Sequence, residues 1–343
     1  MSNERNDNMR RFLILTLIIA IFTVSAPLIA LPDSDGPLIN LNETTKKEEE
    51  KATEVTEQTE EKKKDENEEK TVKVFSPSED KTETVDEKEY IIGCVAGEMP
   101  ITYEKEALKA QAVACYTFLK WKQNQNDREK TEADISDSTL HQSYMTKDEM
   151  EEKWGKDFEK YYKKLTDAVD KVYGKTITYK SEPIMAVFHA LSPGKTENAE
   201  NVWGYEVPYL KSVSSEGDKL SPSFSTTLVL SDEEFKNLLT KAEEIDFSDK
   251  AESWIKEVDR TDAGTVKSIK ICNKTLTGEK VRNALSLKSS AFTVKHAENS
   301  FIFTVNGYGH FVGMSQYGAD YLAKQGFKYD EILKHYYTGV KIE

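Results

Sequence analysis

The feature that most restricts this chain is a tract that cannot fold by itself. From Asn42 to about Thr71 the sequence is built from Glu, Lys and Thr (TTKKEEEKATEVTEQTEEKKKDENEEK), with no aromatic residue and almost nothing apolar. Such a stretch cannot offset the entropy of ordering, so it is expected to be a solvated tether in which Glu/Lys pairs four apart give at most transient helix. The tract also explains the composition. The 343 residues carry 61 acidic and 47 basic side chains, a formal charge of -14, and only 38% hydrophobic residues. Beyond the tract about 250 residues remain, rich in Leu, Val, Ile, Phe and Tyr, enough for one folded domain in one or two lobes. The acidic balance argues against nucleic acid, since no basic stripe is present in the folded part. Cys94, Cys115 and Cys272 are too few and too scattered for a disulfide framework or a Cys-rich metal site, and read as small core residues.

Upstream, Phe12 to Leu31 (FLILTLIIAIFTVSAPLIAL) holds no charge and follows Arg10 and Arg11. About twenty apolar residues suffice to cross a membrane, and the flanking arginines keep the tail inside. The expected layout is a cytoplasmic tail (1–11), a single transmembrane anchor (12–31), a linker (32–71) and an exported domain (72–343). A cleaved signal peptide is the competing reading, because Val24-Ser25-Ala26 resembles a cleavage site. The length of the run and Pro27 favour the anchor. A tethered domain suits a large, immobile target such as the cell wall.

Within the folded part, Val72 to Phe75 predicts a strand and Lys88 to Met99 a helix. Ile91, Ile92, Val95 and Met99 form its apolar stripe, and Gly93 and Gly97 give a narrow face open to close backbone approach. Pro100 ends it. Thr102 is the expected N-cap of a second helix to about Lys122, with Leu108, Ala112, Cys115 and Leu119 inward. A polar loop, Asp134 to Met145, precedes one charged helix from Lys147 to about Tyr173. Strands are expected at Thr176–Tyr179, Ile184–His189, Thr265–Cys272, Phe292–His296 and Phe301–Val305. Ser231 with Glu234 marks a capping box for a helix to Lys241. After the glycine-rich turn Asn306–Gly313 come two short helices, Ser315–Gln325 and Asp330–Tyr337. The mixture has no regular βαβ rhythm, so the expected class is α+β.

Three stretches could carry chemistry. Glu98 ends an apolar helix, where unsatisfied carbonyls and burial beside Met99 and Ile101 both disfavour its charge; an acid kept protonated near neutrality is what a general acid needs. An exposed helix-end glutamate is the plainer alternative. Gly307, Gly309 and Gly313 place His310 beside an incoming helix N-terminus, with a strained turn around a structural histidine as the plainer alternative. Phe188 to Asn198, followed by Trp203, sets His189, Ser192, Lys195 and Thr196 at a strand end, as in a sugar-binding cleft or in an ordinary surface loop. A Ser315/His310 hydrolase lacks nucleophile-elbow spacing and an orienting Asp. His141, His189, His296, His310 and His335 show no zinc-ligand spacing.

Taken in order, these runs resemble the stage II sporulation protein D family. The resemblance rests on Tyr90-Ile-Ile-Gly-Cys-Val-Ala-Gly-Glu98-Met-Pro and on Glu106-Ala-Leu-Lys109-Ala-Gln111-Ala-Val-Ala114. It continues in His141-Gln142-x-Tyr144, Phe188-His189 to Pro208-Tyr209-Leu210, and Thr277-Gly278-Glu279 with Arg282 and Leu285-x-Leu-Lys-Ser-Ser. It ends in Gly309-His310-x-Val312-Gly313-Met314-Ser315-Gln316-x-Gly318-Ala319 and His335-Tyr-Tyr-x-Gly339. It implies a membrane-anchored lytic transglycosylase without a cofactor that cuts peptidoglycan glycan strands during engulfment in sporulation. Its domain would face the septal wall from the mother-cell membrane, alongside stage II sporulation proteins P and M, the former stripping stem peptides first.

Glu98 falls on the family's catalytic glutamate. One carboxyl suffices for this chemistry: it protonates the β-1,4 oxygen leaving N-acetylmuramic acid, then takes the proton of that sugar's C6 hydroxyl as a 1,6-anhydro ring closes, whereas ordinary glycosidases need two. Lys109, Gln111, His189, Ser192, Thr196, His310, Ser315 and Gln316 are the expected substrate-binding residues. The chain departs from the family at Tyr116, usually Arg, and at Phe311, usually Gly. Some members bind zinc through Cys and His in the loop before Gln-x-Tyr; this loop has His141 and no cysteine, so no metal is expected. Amidase enhancers share the resemblance, which keeps open a non-catalytic protein that stimulates a partner amidase. A purely structural link between membrane and wall is the third reading.

Overall fold

The computed structural model describes residues 70–77, 80–125, 133–137, 142–248 and 250–343. The expected anchor, nearly all of the tether and His141 lie outside the described residues. Among the described residues no helix is long and apolar enough to cross a membrane.

Strand β1 (Thr71–Ser76) pairs with β2 (Lys81–Asp86) as a hairpin and, in parallel, with β3 (Ile135–Ser136). Helix α1 (Glu87–Glu98) follows at once, its first turn capped by the Asp86 carboxylate, which accepts from the N–H groups of Lys88 and Glu89. The expected single stripe is too narrow a description. Residues Tyr90 to Ala96 are all buried, so α1 is sunk in the core on every side. Helix α2 (Lys105–Asn124) starts later than Thr102 predicts. Tyr103 N–H bonds Pro100 O in a turn that holds Thr102 outside the helix, and the Asp320 carboxylate accepts from Glu104 N–H at 2.7 Å in place of a side-chain cap. The one charged helix expected over 147–173 is two, α3 (Lys147–Trp154) and α4 (Phe158–Asp170), because Gly155 turns the chain at a φ of +49°.

Next come β4 (Ile177–Tyr179), β5 (Glu182–Pro183), β6 (Phe188–His189) and the short α5 (Ala199–Trp203). The strand expected from Ile184 is reduced to the two residues of β6. The chain then builds a second core from β7 (Ser225–Ser231), α6 (Asp232–Ala242), β8 (Ile255–Arg260), β9 (Val266–Ile271), β10 (Lys274–Leu276), α7 (Gly278–Leu285), β11 (Phe292–Ala297) and β12 (Ser300–Asn306). Its two antiparallel sheets run β10-β9-β8 and β11-β12-β7. The capping box at Ser231 and Glu234 starts α6 as expected.

Finally β13 (Met314–Ser315) pairs in parallel with β6, and α8 (Gln316–Lys324), α9 (Tyr329–Tyr336) and β14 (Lys341–Ile342) return to the first core, where β14 pairs with β4. The fold is a mixture of helix and sheet of the α+β kind, with the second core inserted into the first. Glu197 joins the two. Its buried carboxylate accepts from Thr261 and Thr265 hydroxyls, both at 2.6 Å, and from Asn201 Nδ2 at 2.7 Å.

Candidate active site

Glu98 is the last residue of α1, and its surroundings follow from the two glycines before it. A Cβ on Gly93 would stand 2.4 Å from the Tyr144 ring and 2.5 Å from Met145 O; one on Gly97 would stand 3.1 Å from Ser143. Lacking them, the helix lets residues 142–145 lie directly against it. The loop is held from three sides. Gln142 accepts from Tyr90 OH at 3.0 Å, the Tyr144 ring stacks on Tyr90 at 5.5 Å, and Tyr144 N–H donates to Asp137 Oδ1 at 2.8 Å. This fixes the Ser143 N–H on Glu98 Oε1 at 2.6 Å.

Burial of the Glu98 carboxyl is the dominant influence and pushes its pKa up to about 7, against bonds from Ser143 and the Gln316 side chain that favour the carboxylate. The negative charge of Asp137 pushes the same way as burial. Gln316 opens α8; its Nε2 reaches Gln111 Oε1 at 3.5 Å, and Gln111 Nε2 in turn reaches Cys115 Sγ at 3.4 Å. A row of neutral groups therefore runs from Cys115 to the acid, and Glu98, Gln316 and Gln111 are brought together.

Four other expected binding residues, Lys109, Ser192, Thr196 and Ser315, stand elsewhere, with their side-chain polar atoms engaged inside the fold. Lys109 pairs with Glu106 at 2.6 Å, and Glu106 accepts from Tyr329 N–H, tying α2 to α9. Ser315 caps α8 through Gly318 N–H and donates to Asp218 Oδ1 at 2.9 Å, while Asp218 Oδ2 accepts from Ser192 N–H at 2.9 Å. Ser192 Oγ accepts from Gly194 N–H, and Thr196 Oγ1 from Val213 N–H at 2.8 Å.

His189 and His310 make a second cluster, rings 5.9 Å apart, with the Trp203 ring 5.7 Å from His310 and Tyr205 stacked beyond it. Burial holds both imidazoles below their ordinary pKa; His310, further depressed by the nearby Arg282 charge, is lowered to about 4. Both are neutral at pH 7. His189 Nδ1 faces Val312 O at 3.3 Å and so carries the proton, leaving its buried Nε2 a bare acceptor without a partner.

Both departures noted in the sequence have a local account. Phe311 adopts a φ of +69°, the left-handed region that glycine enters freely, and its fully buried ring packs on His189 at 5.7 Å. Tyr116 lies near the far end of α1 from Glu98, about 16 Å along the helix, with its ring between Tyr173 and Lys120. There the buried Glu87 accepts from Lys120 and from Tyr173 OH. Among the described residues no three His, Cys, Asp or Glu side chains are grouped to hold a metal.

Sequence reasoning missed Ser143, Asp137 and Asp218. The Gly93/Gly97 pair was the available signal for Ser143, since it announces a close backbone; nothing local marks Asp137 or Asp218, whose roles come from contacts across the fold.

The site is that of a two-core α+β protein in which the carboxyl that ends α1, Glu98, has its pKa raised to about 7. Comparison with known proteins gives the family. The SpoIID family, described as a stage II sporulation protein, matches residues 76–179. Stage II sporulation protein D of Bacillus subtilis (strain 168) is 38% identical over 274 residues, covering 79% of this chain and 78% of the relative, and that of Bacillus amyloliquefaciens is 38% identical over 275 residues with the same coverage. An amidase enhancer of Bacillus subtilis is 29% identical over 302 residues, covering 73% of this chain and 40% of the relative. The chain belongs to the stage II sporulation protein D family, a family of sporulation proteins.

Proposed function

We propose that the chain is a membrane-anchored lytic transglycosylase that cuts peptidoglycan glycan strands between N-acetylmuramic acid and N-acetylglucosamine during sporulation. The observation that carries this reading is the Glu98 carboxyl, raised to about 7 by burial and aimed by the Ser143 N–H and Gln316. At neutral pH a large share of it is protonated and can give its proton to the glycosidic oxygen. The carboxylate so formed is stabilised by the same two donors, and takes the C6 hydroxyl proton as the anhydro ring closes. No water and no second carboxylate enter this cycle. Trp203 with Tyr205 supplies an aromatic face for sugars further along the strand. In this reading residues 12–31 hold the domain to the mother-cell membrane, and stage II sporulation proteins P and M act beside it, P supplying strands free of stem peptides.

The test is mass spectrometry of products from peptide-free glycan strands incubated with the protein and with its Glu98→Gln form. Anhydro-ended products from the first and none from the second are expected; reducing ends would replace the reading with ordinary hydrolysis. The likeness to an amidase enhancer favours a second reading, a protein that stimulates a partner amidase. It predicts no product from either form alone and a faster amidase when either is added.

A further inference from the structure

Two of the three cysteines are in contact. Cys94 and Cys115 lie 21 residues apart in sequence, one on α1 and one on α2, both fully buried, with their sulfurs 2.8 Å apart. Unbonded carbon atoms rest at roughly 3.5–4.0 Å, and sulfur is larger; a disulfide is about 2.05 Å. The pair is thus closer than two packed thiols and within a small side-chain movement of a bond. Cys272 belongs to the second core and has no part in this contact.

We propose that Cys94 and Cys115 close a disulfide as the exported chain folds, stapling the helix that ends in Glu98 to the helix that carries Gln111. The oxidant is an external disulfide, either of a thiol–disulfide oxidoreductase or of a small molecule such as oxidised glutathione. One cysteine thiolate attacks a sulfur of that disulfide, forming a mixed disulfide and releasing one thiolate. The second cysteine thiolate then attacks the mixed disulfide, forms the Cys94–Cys115 bond and releases the other. The two cysteine protons end on the two released thiols, and the oxidant gains the two electrons lost by the cysteines.

The exchange must precede the final packing of the two helices. Burial, and then the neighbouring Cys115, raise the Cys94 thiol well above its ordinary range, so the folded pair offers little thiolate and no access. For the same reason the bond, once closed, is shielded from reductants. Its consequence for the site is direct. Cys94 stands one turn before Glu98, and Cys115 Sγ accepts from Gln111, whose carbonyl takes the Gln316 amide beside Glu98. The inference rests on the proposed export only for where the oxidant is met, and its chemistry is independent of whether the protein cuts glycan.

The test uses the full chain in detergent, produced once by export into an oxidising compartment and once by refolding from denaturant in a glutathione redox buffer. Each preparation is denatured, alkylated without reduction and digested with trypsin. One alkylated cysteine per chain, Cys272, and a peptide of residues 89–105 linked to residues 110–120 are expected, together with a melting temperature several degrees above that of the Cys115→Ala form. Three alkylated cysteines from both preparations, or a link that involves Cys272, would overturn the proposal. A Cys272→Ser form removes intermolecular pairing and should still show the link.

Discussion

The two cores of this molecule are built differently. The second packs aromatic rings on one another: Phe235 lies 4.1 Å from Phe301 and 6.2 Å from Trp254, with Phe303 and Phe247 around them. The first is threaded with buried polar groups, among them Gln111, Gln142, His189, Asp218, Ser315, Gln316 and Asp320. An aromatic core gains stability from buried area and ring packing, with no hydrogen-bond partners to match. Buried polar groups are stabilising only when every donor and acceptor is matched, and they fix one arrangement where apolar packing would tolerate several. The difference teaches where precision is needed: the core holding Glu98 is the one whose side chains are specified by hydrogen bonds.

The largest expected effect lies in the aromatic core. Phe235→Ala should cost about 3–5 kcal/mol. The loss should appear in the denaturant transition of Trp254 fluorescence, with glycan cleavage at low temperature retained if the first core stands without the second. Equal loss of both signals would show that the Glu197 link makes the cores one cooperative unit.

The next effect has the opposite sign. Glu98 titrates near 4.5 when unfolded and about 7 when folded. A raised folded value contributes stability that is fully present below the unfolded pKa and is lost as pH rises through the folded one. At 1.36 kcal/mol per unit, the ionised acid then costs roughly 3 kcal/mol above pH 7. Glu98→Gln should therefore abolish cleavage while making the protein more stable at pH 8, with little change at pH 4. Chemical denaturation at the two pH values reads both.

Gly93→Ala strikes the contact between the loop and α1. The added carbon overlaps Tyr144 and Met145, so a loss of about 1–3 kcal/mol is expected. With the Ser143 N–H displaced, the alkaline limit of activity should also move upward, because the carboxylate loses a donor. Smallest is Lys109→Ala. Its partly buried pair with Glu106 is worth at most about 1 kcal/mol, and cleavage should be nearly unchanged; a large fall in kcat with an unchanged melting temperature would return Lys109 to the substrate.

Much of this was legible in the sequence where the signal is local. The capping box at Ser231, the helix ended by Pro100, the turn before Ser315 and the promise of Glu98 each depend on neighbours within a few residues. The strands β2 and β8 were not legible, because KTETVD and IKEVDR are exposed along nearly their whole length and carry no hydrophobic run. The break at Gly155 was missed because a glycine in a charged helical stretch does not declare its φ. Site residues divide in the same way. Glu98 announces itself through helix end and apolar neighbours, but the internal engagement of Ser192, Thr196 and Ser315 depends on Asp218 and Val213, partners that only the folded chain brings near.

The most direct test of the account is the titration of Glu98 itself. Carbon-13 spectra of protein labelled in its glutamate carboxyls, wild type minus Glu98→Gln, isolate one resonance. A midpoint of about 7 is the result this account predicts, and a midpoint near 4.5 would contradict it.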